Sequence, residues 1–208
     1  MAAFQVQGGD GDQGLVAEQI HTLSNLVESA RSGERKSLEE LAALFYEEIF
    51  RVVYYRTGSR MDAEDLTQEI FVEMSASLNR LRDPASFKPW LYRIALNRVR
   101  DFHRKKRLQS LLRARTTIED IEPSGNPHSP LDSVIAKEFW YQFHHLTRTM
   151  SRKEREVFTL RYVDQLQLKQ IAETLRNSES TVKTHLYRAL KKFKKASGFR
   201  TLLKGSLP

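Results

Sequence analysis

The sequence predicts an all-α protein of two small helical domains joined by a flexible acidic linker, and three observations predict it. Apolar residues recur at three- and four-residue steps through residues 37–107 and again through 151–193, the period of a helix with one buried side. Between these segments, "TTIEDIEPSGNPHSPLDS" has three Pro, one Gly and no sustained period, which reads as a linker. Charge follows the same division. Arg93, Arg98, Arg100, Arg104, Lys105, Lys106, Arg107, Arg113 and Arg115 stand against Asp101 alone; residues 116–133 carry Glu119, Asp120, Glu122 and Asp132 with no base; and residues 176–204 turn basic again. At 208 residues, two modules fit a common domain size of about 100–150 residues. The expected boundaries are an N-terminal extension over 1–36, a first domain over 37–114, a linker over 115–133, a second domain over 134–196 and a tail over 197–208.

The extension is Gly- and Gln-rich at its start and then weakly helical. A first helix is expected over 37–56, with Leu38, Leu41, Ala42, Phe45, Ile49, Val52 and Val53 on its apolar side, until "TGSRMD" breaks it. The next runs over 63–78 with Asp62 as N-cap. Leu66, Ile70, Phe71, Met74 and Leu78 gather on one side of it, and Asp65, Gln68, Glu69, Val72 and Ala76 share the other. After the loop "LNRLRDPAS", Asp83 or Ser86 caps a third helix with Pro89 in its first turn, where the missing N–H matters little. Leu91, Ile94, Ala95 and Phe102 seat it. Arg93, Asn97, Arg100 and Arg104 step by four, three and four along the opposite flank beside Trp90. Such a flank suits phosphate pairing, base-edge hydrogen bonding and stacking, although a solvated basic face accounts for this helix equally well.

The second module is more specific. After an apolar stripe of Phe139, Trp140, Phe143 and Leu146, Ser151 and Glu154 form a capping box for a helix running to about Val163. Leu168 to Leu175 makes a short second helix, "RNSES" a turn, and Ser178 or Ser180 caps a third helix buried through Val182, Leu186, Ala189, Leu190 and Phe193. Short helix, tight turn and basic helix make a helix-turn-helix. Its outward flank carries Ser180, Thr181, Thr184, Tyr187, Arg188 and Lys191, with Lys183 at the edge, positions from which a major groove is read.

Composition removes other classes. Cysteine is absent, which excludes disulfides and thiolate chemistry. Of six His only His144 and His145 are neighbours, and adjacent helical residues diverge by about 100°, so no metal site and no cofactor are expected. No apolar run approaches the roughly 18–20 residues of a membrane span, and the N-terminus lacks a signal-peptide pattern; a cytoplasmic protein without membrane insertion is expected. The net charge of +8 favours polyanionic partners.

The order of elements resembles a bacterial RNA polymerase sigma factor of the extracytoplasmic function group of the sigma-70 family. "DAEDLTQEIFVEMSASL" followed by "ASFKPWLYRIALNRVRDFHRKKR" is similar to that family's region 2, and "REVFTLRYVDQLQLKQIAETLRNSESTVKTHLYRALKKF" to its region 4. The resemblance implies that no catalytic residue is present and that the chain works by binding core polymerase and promoter DNA. It implies that Asp65, Gln68, Glu69 and Val72 meet the β′ clamp helices, and that the face bearing Trp90, Arg93, Asn97, Arg100 and Arg104 contacts and helps open the -10 element. By the same resemblance, Asn97 matches the family's Asn after "RIA", near where a non-template base is expected to be flipped out. The -35 element is assigned to Ser180, Thr181, Lys183, Thr184, Tyr187, Arg188 and Lys191, with region 4 also docking on the β flap, and an anti-sigma factor is an implied partner. The sequence departs from the family pattern in two places. Met150 and Ser151 stand where Leu-Pro is frequent, and Arg176 stands where the turn often has Gly. A left-handed residue there costs an ordinary side chain roughly 1–2 kcal/mol, which makes Asn177 the better candidate.

Two other readings compete. "STVKTHL" also resembles the helix-turn-helix of response-regulator transcription factors, which act without joining polymerase, but that leaves 37–107 unexplained because no strand-helix alternation is present there. A nuclease needs clustered carboxylates or a positioned His, and the acids of the basic modules are dispersed. The linker permits the two modules either to pack together or to stay apart.

Overall fold

The computed structural model describes residues 22–113, 143 and 147–195. Its helices are α1 (22–31), α2 (Arg35–Thr57), α3 (Arg60–Ser77), α4 (Phe87–Arg113), α5 (Arg152–Tyr162), α6 (Leu168–Leu175) and α7 (Glu179–Lys195). Short 3-10 turns at Leu78–Arg80 and Pro84–Ser86 join α3 to α4. No strand occurs among the described residues. The linker and most of the Phe139–Leu146 stripe lie outside them, but Phe143 is buried against Phe158.

Helix α1 falls inside the span read as an extension. Its Val27 is fully buried, and Leu23, Leu26 and Ala30 pack on the same core. Four apolar side chains on one side of a ten-residue helix seat it, and full burial of one such as Val27 contributes about 1.5–3 kcal/mol. Gly58 then stops α2 in the left-handed conformation (φ 70°), its N–H donating to the Tyr54 carbonyl at 2.9 Å. The cap of α3 is Ser59, not Asp62: Ser59 Oγ accepts from the Asp62 N–H at 3.3 Å. Nothing in Arg60-Met61-Asp62 opposes helix, so the start moves to the preceding hydroxyl. Asp62 instead supplies an acid to the positive first turn.

Helix α4 extends for 27 residues, about 40 Å at 1.5 Å per residue, and carries the core of the first module: Phe87, Trp90, Leu91, Tyr92, Ile94, Ala95, Leu96 and Val99 are buried. In the second module the capping box is present, with Ser151 Oγ accepting from the Glu154 N–H and Glu154 Oε2 accepting from the Ser151 N–H. The modules pack together. Val157, Leu160, Leu166, Ile171, Ala172 and Val182 belong to the same buried cluster as α2, α3 and α4. A smaller cluster of Phe143, Met150, Phe158 and Ala189 closes the far side.

Candidate nucleic-acid interface

Three surfaces carry the residues singled out from the sequence, and each is set by the elements beneath it. On α3, burial of Leu66, Ile70 and Met74 turns Asp65, Gln68, Glu69 and Val72 outward, and Val72 is 69% exposed. Gln68, Phe71 and Val72 face Leu38, Ala42 and Tyr46 of α2 across an apolar groove of about 810 Å³. The α2 wall of this groove was not legible as a site, because its residues share the spacing of ordinary core positions. Glu69 and Glu73 both reach Arg98 on α4, at 3.5 and 2.6 Å. That ion-paired bridge ties this face of α3 to the basic helix α4.

On α4 the five residues separate. Asn97, Arg100 and Arg104 are exposed, whereas Arg93 is half-buried and Trp90 is 8% exposed with its ring 5.8 Å from that of Phe87. Burial, and then the neighbouring Arg176 guanidinium, hold the Arg93 pKa below its ordinary value. Helix α6 packs on this end of α4: its Thr174 hydroxyl donates to the Pro89 carbonyl at 3.3 Å, while Ser86 Oγ donates to Glu173 Oε2 at 3.3 Å. Asn97, Arg100 and Arg104 line a cleft toward α5.

On α7 the recognition flank is open. Ser180, Lys183, Thr184, Tyr187, Arg188 and Lys191 are exposed, Thr181 is half-buried, and Tyr187 is 69% exposed. Ser178 is the cap: its Oγ accepts from the Thr181 N–H at 3.2 Å and lies 2.8 Å from Thr181 Oγ1. Thr184 Oγ1 donates to the Ser180 carbonyl at 2.9 Å, so its methyl is free for contact while its hydrogen is committed. Lys183 stands 4.0 Å from Glu179, an exposed pair of little strength. Arg188 and Lys191 have no carboxylate partner among the described residues.

The turn presenting this helix differs from the expectation. Arg176, not Asn177, takes the left-handed conformation (φ 52°, ψ 47°). The Asn177 N–H returns to the Ala172 carbonyl at 2.9 Å and the Arg176 N–H to the Glu173 carbonyl at 3.3 Å. Those two bonds close a Schellman motif, which fixes the left-handed position one residue after Leu175 whatever the side chain.

The Sigma-70 region 2 family model matches residues 41–109, and the Sigma-70 region 4 model matches residues 141–193. The chain belongs to the sigma-70 family. Within it the chain falls in the extracytoplasmic function group. It is 29% identical over 170 residues to the ECF RNA polymerase sigma factor BldN of Streptomyces coelicolor, covering 81% of this chain and 63% of that relative. It is 27% identical over 176 residues to the ECF RNA polymerase sigma factor SigW of Bacillus subtilis, covering 81% and 93%. The fold is similar to that of CnrH in complex with the cytosolic domain of CnrY, with a TM-score of 0.62, 20% identity and coverage of 89% and 99% of the two chains. It is also similar to the sigma factor RpoE in complex with the anti-sigma factor NepR from Bartonella quintana, with a TM-score of 0.58, 19% identity and coverage of 83% and 99%.

In this sigma-70 chain the region 2 match spans most of α2, all of α3 and most of α4, and the region 4 match spans α5, α6 and nearly all of α7. Sequence reasoning missed the contacts between the two regions. Arg56 of α2 pairs with Asp164 at 2.5 Å and also donates to the Val52 carbonyl at 2.8 Å; the Asp164 side chain is 1% exposed. Arg100 stands 3.6 Å from Glu156. These pairs join residues far apart in the chain, and no local period announces them.

Proposed function

We propose that the chain directs core RNA polymerase to promoters whose -10 and -35 elements it reads with regions 2 and 4, and that it makes and breaks no covalent bond itself. One observation carries the reading: both family regions occur in order on two modules, and the second presents an unobstructed basic recognition helix. In the proposed mechanism Asp65, Gln68, Glu69 and Val72 bind the β′ clamp helices, with the α2 wall of the groove extending that contact, and region 4 docks on the β flap. Lys183 from the second turn of α7 and Arg188 from the third reach base edges or phosphates, Lys191 reaches backbone phosphate, and Tyr187 contributes an apolar surface against the groove wall.

Opening the -10 element unstacks bases at roughly 1.4 kcal/mol per step. Asn97, Arg100 and Arg104 are exposed already and would receive the displaced strand, offsetting part of that cost through phosphate pairing and base capture. Trp90 and Arg93 take part only after α6 leaves α4, so promoter opening requires the modules to separate. Polymerase binding supplies the differential contacts that such a shift needs. An anti-sigma factor and a cytoplasmic site of action complete the proposal.

The test uses Val72→Asp, because Val72 is 69% exposed and lies outside the buried core. The variant should retain the helical signal and melting temperature of the parent and fail to co-elute with core polymerase. Undiminished co-elution would remove the α3 face from the polymerase interface.

A further inference from the structure

Between α4 and α5 lies a cleft of about 930 Å³, a size typical of small-ligand sites, which span about 300–1,000 Å³. Five guanidiniums line it: Arg100, Arg104 and Arg107 from α4, Arg152 and Arg155 from α5. Among the described residues, carboxylates do not balance them. Asp101 lies 3.1 Å from Arg104 and Glu156 lies 3.6 Å from Arg100, while Arg107 and Arg152 have no carboxylate partner among the described residues. The Nε of Arg155 is buried and has no hydrogen-bond acceptor among them either. A buried donor left without a partner is costly, and an anionic oxygen in the cleft would satisfy it.

A second chamber of about 560 Å³ adjoins the first, sharing Arg100, His103, Arg152 and Arg155; Tyr55, Leu96, Val99 and Phe143 supply its apolar wall. The two together offer opposite chemistries side by side. Guanidiniums pair bidentately with phosphate oxygens, and an aromatic and aliphatic wall accepts the face of a flat ring.

We propose that this composite cleft binds a nucleoside polyphosphate, its phosphates on the five guanidiniums and its base in the adjoining apolar chamber. Region 2 supplies α4 and region 4 supplies α5, so the ligand bridges the modules and favours their packed arrangement by mass action. Arg100 and Arg104 also belong to the -10 face, and a bound nucleotide competes with the promoter strand for them. That competition rests on the promoter reading above; the binding itself does not.

Isothermal titration of the full chain, without polymerase or DNA, tests the binding with ATP, GTP, inorganic triphosphate and adenosine as probes. Saturable one-to-one binding of ATP or GTP is expected, with triphosphate weaker and adenosine weaker still. The double variant Arg152→Ala/Arg155→Ala should weaken nucleotide binding by at least about tenfold at unchanged helicity. Arg107→Glu, at an exposed position, gives a second reading if the double variant does not fold, and should weaken binding in the same direction. Absence of nucleotide binding at millimolar concentration, or binding that neither variant weakens, would overturn the site. Triphosphate binding as tightly as the nucleotides would overturn the assignment of the base chamber. Each of these failures leaves promoter-directed transcription untouched.

Discussion

Single side chains in region 4 divide into those that hold the module and those that face outward. Glu154 holds it: its carboxylate accepts from the Ser151 N–H at 2.7 Å and meets Lys192 Nζ at 2.5 Å. The Lys192 contact first, and the Ser151 bonds after it, keep the Glu154 pKa below its usual 4.5 against the opposing effect of burial. A carboxyl depressed in the folded state is protonated more readily in the unfolded chain. Its stabilisation is therefore complete above the usual 4.5 and is lost as pH falls through the lowered folded value. Glu154→Gln should accordingly melt at a lower temperature than the parent at neutral pH, with the gap narrowing as the solution is acidified; melting curves that stay parallel across that range would exclude the charge as the cause. Arg188 faces outward. Arg188→Ala should cost about 1–3 kcal/mol at particular -35 base pairs if it makes a bidentate base contact, measured as transcription from a promoter set substituted at each -35 position. An equal loss on every promoter would make it a phosphate contact.

Among the elements, the turn between α6 and α7 is where local chemistry and tertiary need conflict. Arg176 is held left-handed by the Schellman bonds that follow Leu175, at a cost of about 1–2 kcal/mol for a residue with a Cβ. Arg176→Gly should raise stability by about 1 kcal/mol, somewhat less than the strain relieved because glycine also gains freedom in the unfolded chain. A lower denaturation midpoint would show that the Arg176 side chain contributes more than its backbone costs. Helix type and extent were legible where periodicity was strong: α6 matches its expected span of Leu168–Leu175, and the Ser151–Glu154 box caps α5 as read. Start positions were less so. Ser59 and Asp62 are both good caps, and only packing of the preceding turn distinguishes them. The outward α7 flank was readable because a single buried stripe through Val182 and Ala189 fixes the rotation of the helix. The α4 face was only half readable, since periodicity gives a direction but not what lies in that direction. Trp90 is buried there and Arg93 is half-buried near Arg176, while Asn97 and Arg100 are exposed, Arg100 beside Glu156 of α5.

At the scale of the whole molecule, regions 2 and 4 share one apolar cluster and a nearly buried ion pair, Arg56–Asp164. Removing one member of such a pair leaves the other charge uncompensated, so the contact is more sensitive to substitution than its net contribution to stability suggests. Under the proposed function, this packing leaves the -35 face of α7 exposed while Trp90 and Arg93 of the -10 face stay wholly or half buried. A DNA-binding assay on the isolated protein is therefore a poor measure of its activity. The direct measurement is run-off transcription from a genomic fragment library with purified bacterial core polymerase, with and without the protein. The account predicts new discrete start sites, appearing only when the protein is present and sharing two spaced upstream elements. Start sites unchanged by its addition, together with no association with core polymerase, would contradict it.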